Sequence, residues 1–289
     1  MSAWRDRLFR AMTRPPYQDS EGRKGLLAPF AHALRHRVRH LQLHLPGWPR
    51  WRRPQRIAYL SDFHAGSHTD DVTRFRKIVA EASGYRPDLA LYGGDFVNFI
   101  PYGGGRVPPE TVAAILSGLT APLGQVAVLG NHDRNYGEAE VAAALRARGI
   151  AVLLDSVIEL RFEGTALPIL GIHDARRERP ESRAALAALD PASPAIVLAH
   201  DPFWFGHMRS EAHLMLAGHT HGGQICLPGF GPLRNASRAP LRWTYGLIEE
   251  EGRRMYVTSG LGCSALPLRI GARPEWVLLE LNGIGRLGP

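Results

Sequence analysis

The sequence predicts an α/β sandwich, two β-sheets packed face to face with helices outside. Three observations carry this. Short apolar, strand-like runs recur from residue 56 to near the C-terminus; Ala/Leu-rich helical stretches separate the earlier runs; the later runs follow one another more closely. With 289 residues, 45% hydrophobic and 21% charged, the chain has an ordinary globular composition, which excludes fibrous and mostly disordered classes.

Residues 1–25 are polar, basic and Pro-containing, and predict no packed structure. Residues 26–37 can form a short helix, and His32, His36, His40 and His44 recur at the four-residue spacing of one helical face. Leu41, Leu43 and Leu45, however, alternate with Gln42 and His44. That is a strand pattern; it predicts a strand over 38–45 and makes the histidines surface residues. The chain therefore divides into a basic arm, 1–37, and a domain, 38–289. Further strands are predicted at 56–60, 89–93, 126–129, 168–172, 195–199, 213–217, 255–258 and 276–281. Helices are predicted at 72–83, at 109–119 with proline at its start, at 137–148 and at 181–189. No internal repeat is visible.

Charge is divided unevenly. Residues 1–56 hold thirteen Lys/Arg and three Asp/Glu, a net +10, against 22 and 24 in the remainder, a net −2. The arm suits an anionic membrane surface or a nucleic acid, with a solvated extension as the alternative. No stretch of 18 apolar residues occurs, and Arg5, Arg7, Arg10 and Arg14 are followed by no apolar run. A cytoplasmic location is expected, with the membrane surface as its variant. Cys226 and Cys263 are the two cysteines and read as free thiols.

Metal-capable residues stand where the predicted strands end. S-D-F-H supplies Asp62 and His64; G-G-D-F-V-N supplies Asp95 and Asn98; G-N-H-D supplies Asn131, His132 and Asp133; H-D-P supplies His200; G-H-T-H-G-G-Q supplies His219 and His221. Each piece alone is a turn, a cap or an accident in a chain with thirteen histidines. Five together, each at a strand end of an α/β sheet, mark a site, because ligands bind at the carboxyl ends of such strands.

The ordered set D-x-H, G-D, G-N-H-D, H, G-H-x-H resembles the calcineurin-like metallophosphoesterases. The longer form G-H-T-H-G-G-Q, followed by L-P-G, S-G-L-G and P-E-W, is similar to their bacterial YkuE-type branch. The resemblance covers roughly 38–282. It implies a four-layer α/β/β/α sandwich of two mixed sheets, and two divalent ions, Mn²⁺, Fe or Zn²⁺. Asp62, His64 and His221 would hold one ion, Asn131, His200 and His219 the other, and Asp95 would bridge them. Charge counting agrees: two dications less two carboxylates and a shared hydroxide leave about +1, attractive to phosphate, and Asn131 ligates without adding charge.

The implied reaction is hydrolysis of a phosphate ester by that hydroxide, with His132 protonating the leaving oxygen. Asp133 either orients His132 or caps a helix. Asn98 is a candidate phosphate contact, and His173 with Asp174 reads as structural more than as pocket wall. A phosphodiester or a lipid-linked pyrophosphate such as UDP-2,3-diacylglucosamine is the expected substrate. The arm together with Trp48, Trp51, Trp204 and Phe205 would meet a bilayer. Two alternatives stand beside this: a nuclease, against which the slightly negative domain argues, and a non-catalytic metal-binding scaffold, against which His132 argues. No obligate protein partner is implied.

Overall fold

The computed structural model describes residues 35–68, 70–99, 105–173, 179–227 and 229–284. Residues 1–34, with His32 and most of the expected 26–37 helix, and Asp174 lie outside them. Residue 37 itself opens a strand.

The first sheet has the order β1 (Arg37–Leu45), β14 (Glu275–Gly283), β2 (Gln55–Leu60), β3 (Leu89–Tyr92), β4 (Gln125–Ala127), β5 (Ala151–Val152). β2 to β5 are mutually parallel, β14 runs antiparallel to β2, and β1 runs parallel to β14. The second sheet has the order β12 (Gly246–Glu250), β13 (Arg253–Val257), β9 (His213–Ala217), β8 (Ala195–Leu198), β7 (Thr165–Gly171), β6 (Ser156–Phe162). Its central four strands are parallel and each edge strand is antiparallel. Between β9 and β12 a separate two-stranded hairpin pairs β10 (Cys226–Leu227) with β11 (Gly231–Pro232).

Strand side chains alternate faces, and that alternation builds the layers. Ile57 and Tyr59 of β2, with Val277 and Leu279 of β14, meet Leu198, Leu214 and Leu216 of the second sheet in the central core. Ala58, Leu60, Trp276 and Leu278 point the other way. They lie under α1 (Asp71–Gly84), α2 (Pro109–Leu116) and α3 (Asn131–Arg146) through Phe75, Ile78, Val112, Leu116, Val141 and Leu145. On the far side Val197, Met215 and Val257 pack against Leu186 of α4 (Pro180–Ala187) and against Trp204, Phe205 and Trp243 of short 3₁₀ turns. The result is the expected four-layer α/β/β/α sandwich, with a thin fourth layer.

Several expectations are corrected. Trp48 and Trp51 are each 4% exposed, Trp204 1% and Phe205 0%. They are core residues and present no apolar face to a bilayer. Five strands escaped the sequence pattern: β6 and β12 are polar edge strands carrying Glu159 and Arg161, or Glu249 and Glu250, and β5, β10 and β11 are only two residues long. α3 starts at Asn131, six residues earlier than expected; Gly137, at φ 155°, interrupts it and hides its first turn from sequence. Among the described residues no helix is long and apolar enough to cross a membrane.

Candidate active site

Loops after β2 and β3 continue the parallel ladder. The N–H of Asp62 donates to Gly94 O (2.9 Å), that of His64 to Asp95 O (2.9 Å) and that of Ala65 to Phe96 O (3.0 Å). The two loops are thus held together backbone to backbone. Left-handed backbone then fixes where the side chains point: φ is 54° at Asp62, 43° at His64, 56° at Asp95, 68° at His219 and 52° at His221. Such φ values cost a non-glycine residue on the order of 1–3 kcal/mol and persist where surrounding bonds enforce them.

The expected ligands converge. Asp95 Oδ2 lies 3.3 Å from His64 Nε2 and 3.3 Å from His200 Nε2. On one side His64 Nε2 is 3.0 Å from His221 Nε2, which is 3.7 Å from Asp62 Oδ1. On the other, His200 Nε2 is 3.1 Å from His219 Nδ1. Donor atoms of Asp62, His64 and His221 lie within 4.8 Å of one another, as do those of Asp95, His200 and His219.

Outer hydrogen bonds set the imidazole tautomers. His200 Nδ1 is 2.7 Å from Gly93 O, so it carries the hydrogen and leaves the Nε2 lone pair facing Asp95. His219 Nε2 is 3.2 Å from Ala236 O, which leaves its Nδ1 lone pair facing His200. Asn131 Oδ1 is buried and has no hydrogen-bond partner, an orphan acceptor of the kind a cation satisfies. Two pairs of histidines, carboxylates and an amide oxygen, with no thiolate, fit divalent metal ions.

Charge follows geometry. Burial would raise the Asp95 carboxyl, but His200, His132 and His64 beside it hold it well below the usual range. Burial, His64 and Arg269 push the His221 imidazole well below its ordinary value. Burial also brings His132 down to about 4, against the pull of Asp95. Both imidazoles are therefore neutral at neutral pH, the form in which His221 can ligate a metal.

His132 and Asp133 occupy the first turn of α3. The His132 N–H donates to Asp95 Oδ1 (2.7 Å), and its Nε2 is 3.4 Å from Ser264 Oγ. The contact expected between Asp133 and the His132 ring is not made. Asp133 Oδ1 accepts from Phe96 N–H (2.8 Å) and Val97 N–H (3.2 Å), and Oδ2 from Asp95 N–H (2.7 Å) and Gly130 N–H (2.9 Å). His132 Nδ1 is buried without a partner. The helix-cap reading is the nearer one, extended: Asp133 ties the Asp95 loop to the start of α3.

A cavity of about 340 Å³ opens over Asp95, Asn131, His132, His219 and His221. Asn98 is buried, its N–H donating to Ala65 O (3.1 Å), and it is not on the cavity wall. His173 is 2.8 Å from Glu138 of α3, a structural link as expected. Sequence reasoning missed three residues. Arg238, over the Phe203 ring at 4.2 Å, and Ser264 stand on the cavity wall. Arg269 is fully buried behind the site, its guanidinium 3.1 Å from His221 Nδ1 and bonded to the carbonyls of Ser259 (2.7 Å) and Gly262 (2.9 Å). No motif marks them, because each acts through folding of the loops after β9 and β13.

The sequence model of the calcineurin-like phosphoesterases matches residues 55–223, over half the chain and every expected ligand, and the chain belongs to that family. It is a metallophosphoesterase, an enzyme that hydrolyses phosphoric esters. It is 32% identical over 240 residues to the phosphodiesterase YaeI of Escherichia coli (strain K12), covering 79% of this chain and 82% of that one. It is 28% identical over 236 residues to the metallophosphoesterase YkuE of Bacillus subtilis (strain 168), covering 78% and 79%. It is 25% identical over 260 residues to the UDP-2,3-diacylglucosamine pyrophosphatase LpxG of Chlamydia trachomatis, covering 72% and 78%.

Proposed function

We propose that this enzyme uses two divalent ions to hydrolyse a phosphodiester or pyrophosphate bond of a lipid-linked substrate, of the class to which UDP-2,3-diacylglucosamine belongs. The position of Asp95 Oδ2, 3.3 Å from an imidazole of each ligand group, is the observation that carries the two-ion reading. The names of YaeI and LpxG support the choice of a diester or pyrophosphate bond.

Asp62, His64 and His221 would hold one ion and Asn131, His200 and His219 the other, with Asp95 shared. Bound there, the ions would supply an activated water and neutralise the phosphoryl oxygens. His132 lines the same cavity and moves the proton. Burial keeps it neutral in the free pocket, and a phosphoryl anion beside it favours the imidazolium. His132 thus takes up a proton as the substrate enters and delivers it to the leaving oxygen. Ser264 steadies its Nε2 side. Arg238 stands on the cavity wall and draws in the anionic ester.

The test is metal analysis followed by turnover. Purified protein loaded with Mn²⁺ is expected to cleave bis-p-nitrophenyl phosphate and UDP-2,3-diacylglucosamine, and Asp95→Ala to lose both turnover and bound metal. A wild-type protein that holds two ions yet cleaves neither diesters nor pyrophosphates overturns the reading.

A further inference from the structure

We propose that the β10–β11 hairpin and the loop beside it form a docking face that seats the mouth of the cavity on an anionic lipid bilayer. Large apolar side chains are concentrated there in the open: Phe230 is 82% exposed, Leu233 61%, Leu227 45% and, in the adjoining loop, Leu266 43%. Single exposed apolar residues are ordinary; a group of four on one lobe marks a contact surface.

The lobe has a fixed base. Gln224 Nε2 donates to Ser264 O (2.8 Å) and Leu266 O (3.1 Å), tying the two loops together. The Cys226 N–H donates to Ile270 O (2.8 Å). Phe230 is therefore carried at the tip of a short hairpin whose root is pinned, a geometry suited to placing one ring at the headgroup boundary.

Charge complementarity selects the occupant. Residues 222–248 contain Arg234, Arg238 and Arg242, and residues 255–274 contain Arg269 and Arg273, with no Asp or Glu in either stretch. Arg269 is buried; the other four are exposed, and Arg242 also pairs with Glu250 (2.6 Å). Apolar side chains rimmed by arginines match the acyl boundary and phosphates of an anionic bilayer.

The lobe also opens onto the active site. A second cavity of about 520 Å³, walled by Ile225, Leu233 and Arg234, shares His221, Ala236 and Ser264 with the metal cavity. A phosphate ester at the bilayer surface would reach the metal-ligating residues while its acyl chains stayed in the lipid. The docking itself does not depend on the lipid-linked substrate reading, because vesicle binding and turnover are separate measurements.

The experiment is co-sedimentation of the full chain with vesicles of phosphatidylglycerol and phosphatidylcholine, and of phosphatidylcholine alone, beside turnover of bis-p-nitrophenyl phosphate. Wild type is expected to partition at least about tenfold better onto the anionic vesicles. Leu227→Ser/Phe230→Ser is expected to lose about tenfold or more of that partition, with turnover of the water-soluble diester within about twofold of wild type. Three results overturn the proposal. Wild type binds neither vesicle; the variant binds anionic vesicles as wild type does, which assigns binding to the N-terminal arm; or the variant converts a wild-type dimer to monomer, by light scattering, with vesicle binding unchanged.

Discussion

At the scale of single residues, Asp95 organises the centre and Asp133 organises Asp95. The two carboxylates have opposite tasks. Asp95 turns Oδ2 toward two imidazoles, while both oxygens of Asp133 are spent on four backbone N–H groups. Asp133→Ala leaves those buried donors unpaired. Thermal or urea unfolding is expected to show a loss of about 2–4 kcal/mol, with activity lost alongside. His132→Ala behaves differently. It removes the proposed proton donor from the cavity wall and no expected ligand, so kcat should fall by about 10²–10⁴-fold while elemental analysis finds the metal content unchanged. Equal loss of metal and rate would make His132 a ligand instead. The motif G-N-H-D announced both residues, but the sequence did not reveal that Asp133 faces the backbone of another loop.

At the scale of elements, the turn from β4 into α3 packs closely against the Asp95 loop. A Cβ on Gly130 would stand 2.2 Å from Asp95 Oδ1 and 2.7 Å from the Asp95 nitrogen. The glycine is required there by close approach, since its backbone is extended, at φ −101° and ψ −179°. Gly130→Ala is expected to displace Asp95 and weaken metal binding, read by calorimetric titration of Mn²⁺ into the metal-free protein. Unchanged affinity would show that the Asp95 loop yields freely. The same turn explains where element boundaries were legible. Interior parallel strands such as β3 and β8 are fully buried and read as continuous apolar runs. The edge strands β6 and β12 owe their existence to pairing with β7 and β13, which no local pattern records.

At the scale of the whole molecule, metal and protons both set stability. The proposed ligands come from both sheets, so ions bound there would tie the halves of the sandwich together. Chelation is expected to lower Tm, and ligand at about a hundredfold over its dissociation constant to restore roughly 2.7 kcal/mol. In the metal-free protein the buried histidines add a pH dependence. His132 is held at about 4 and His68 and His221 below their ordinary value of 6.5, each chiefly by burial. Through these three histidines the unfolded chain binds more protons than the folded one between those values and 6.5, which makes stability rise with pH. Burial and Asp95 raise the Asp133 carboxyl to about 7, which opposes one of the three over the same range, so a shallower net rise up to 6.5 is expected. Urea midpoints across that range check it; midpoints that fall steadily from about pH 4 to 6.5 would overturn it.

The sequence by itself determined the strand and helix order of the interior, the family, and the seven strand-end residues that converge in the site, because each follows an apolar run that forms a buried strand. Tertiary structure decided what those residues do together. It zipped the Asp62 and Asp95 loops side by side, turned five ligands through left-handed backbone, and assigned Asp133 to four amides instead of an imidazole. It also took four aromatics that looked suited to a bilayer into the core and left Phe230 and Leu233 outside. The physical reason is common to all of these. Periodicity and motif spacing report on neighbours along the chain, whereas hydrogen-bond partners and exposure depend on which distant segments pack together, and that is settled only when the two sheets close on each other.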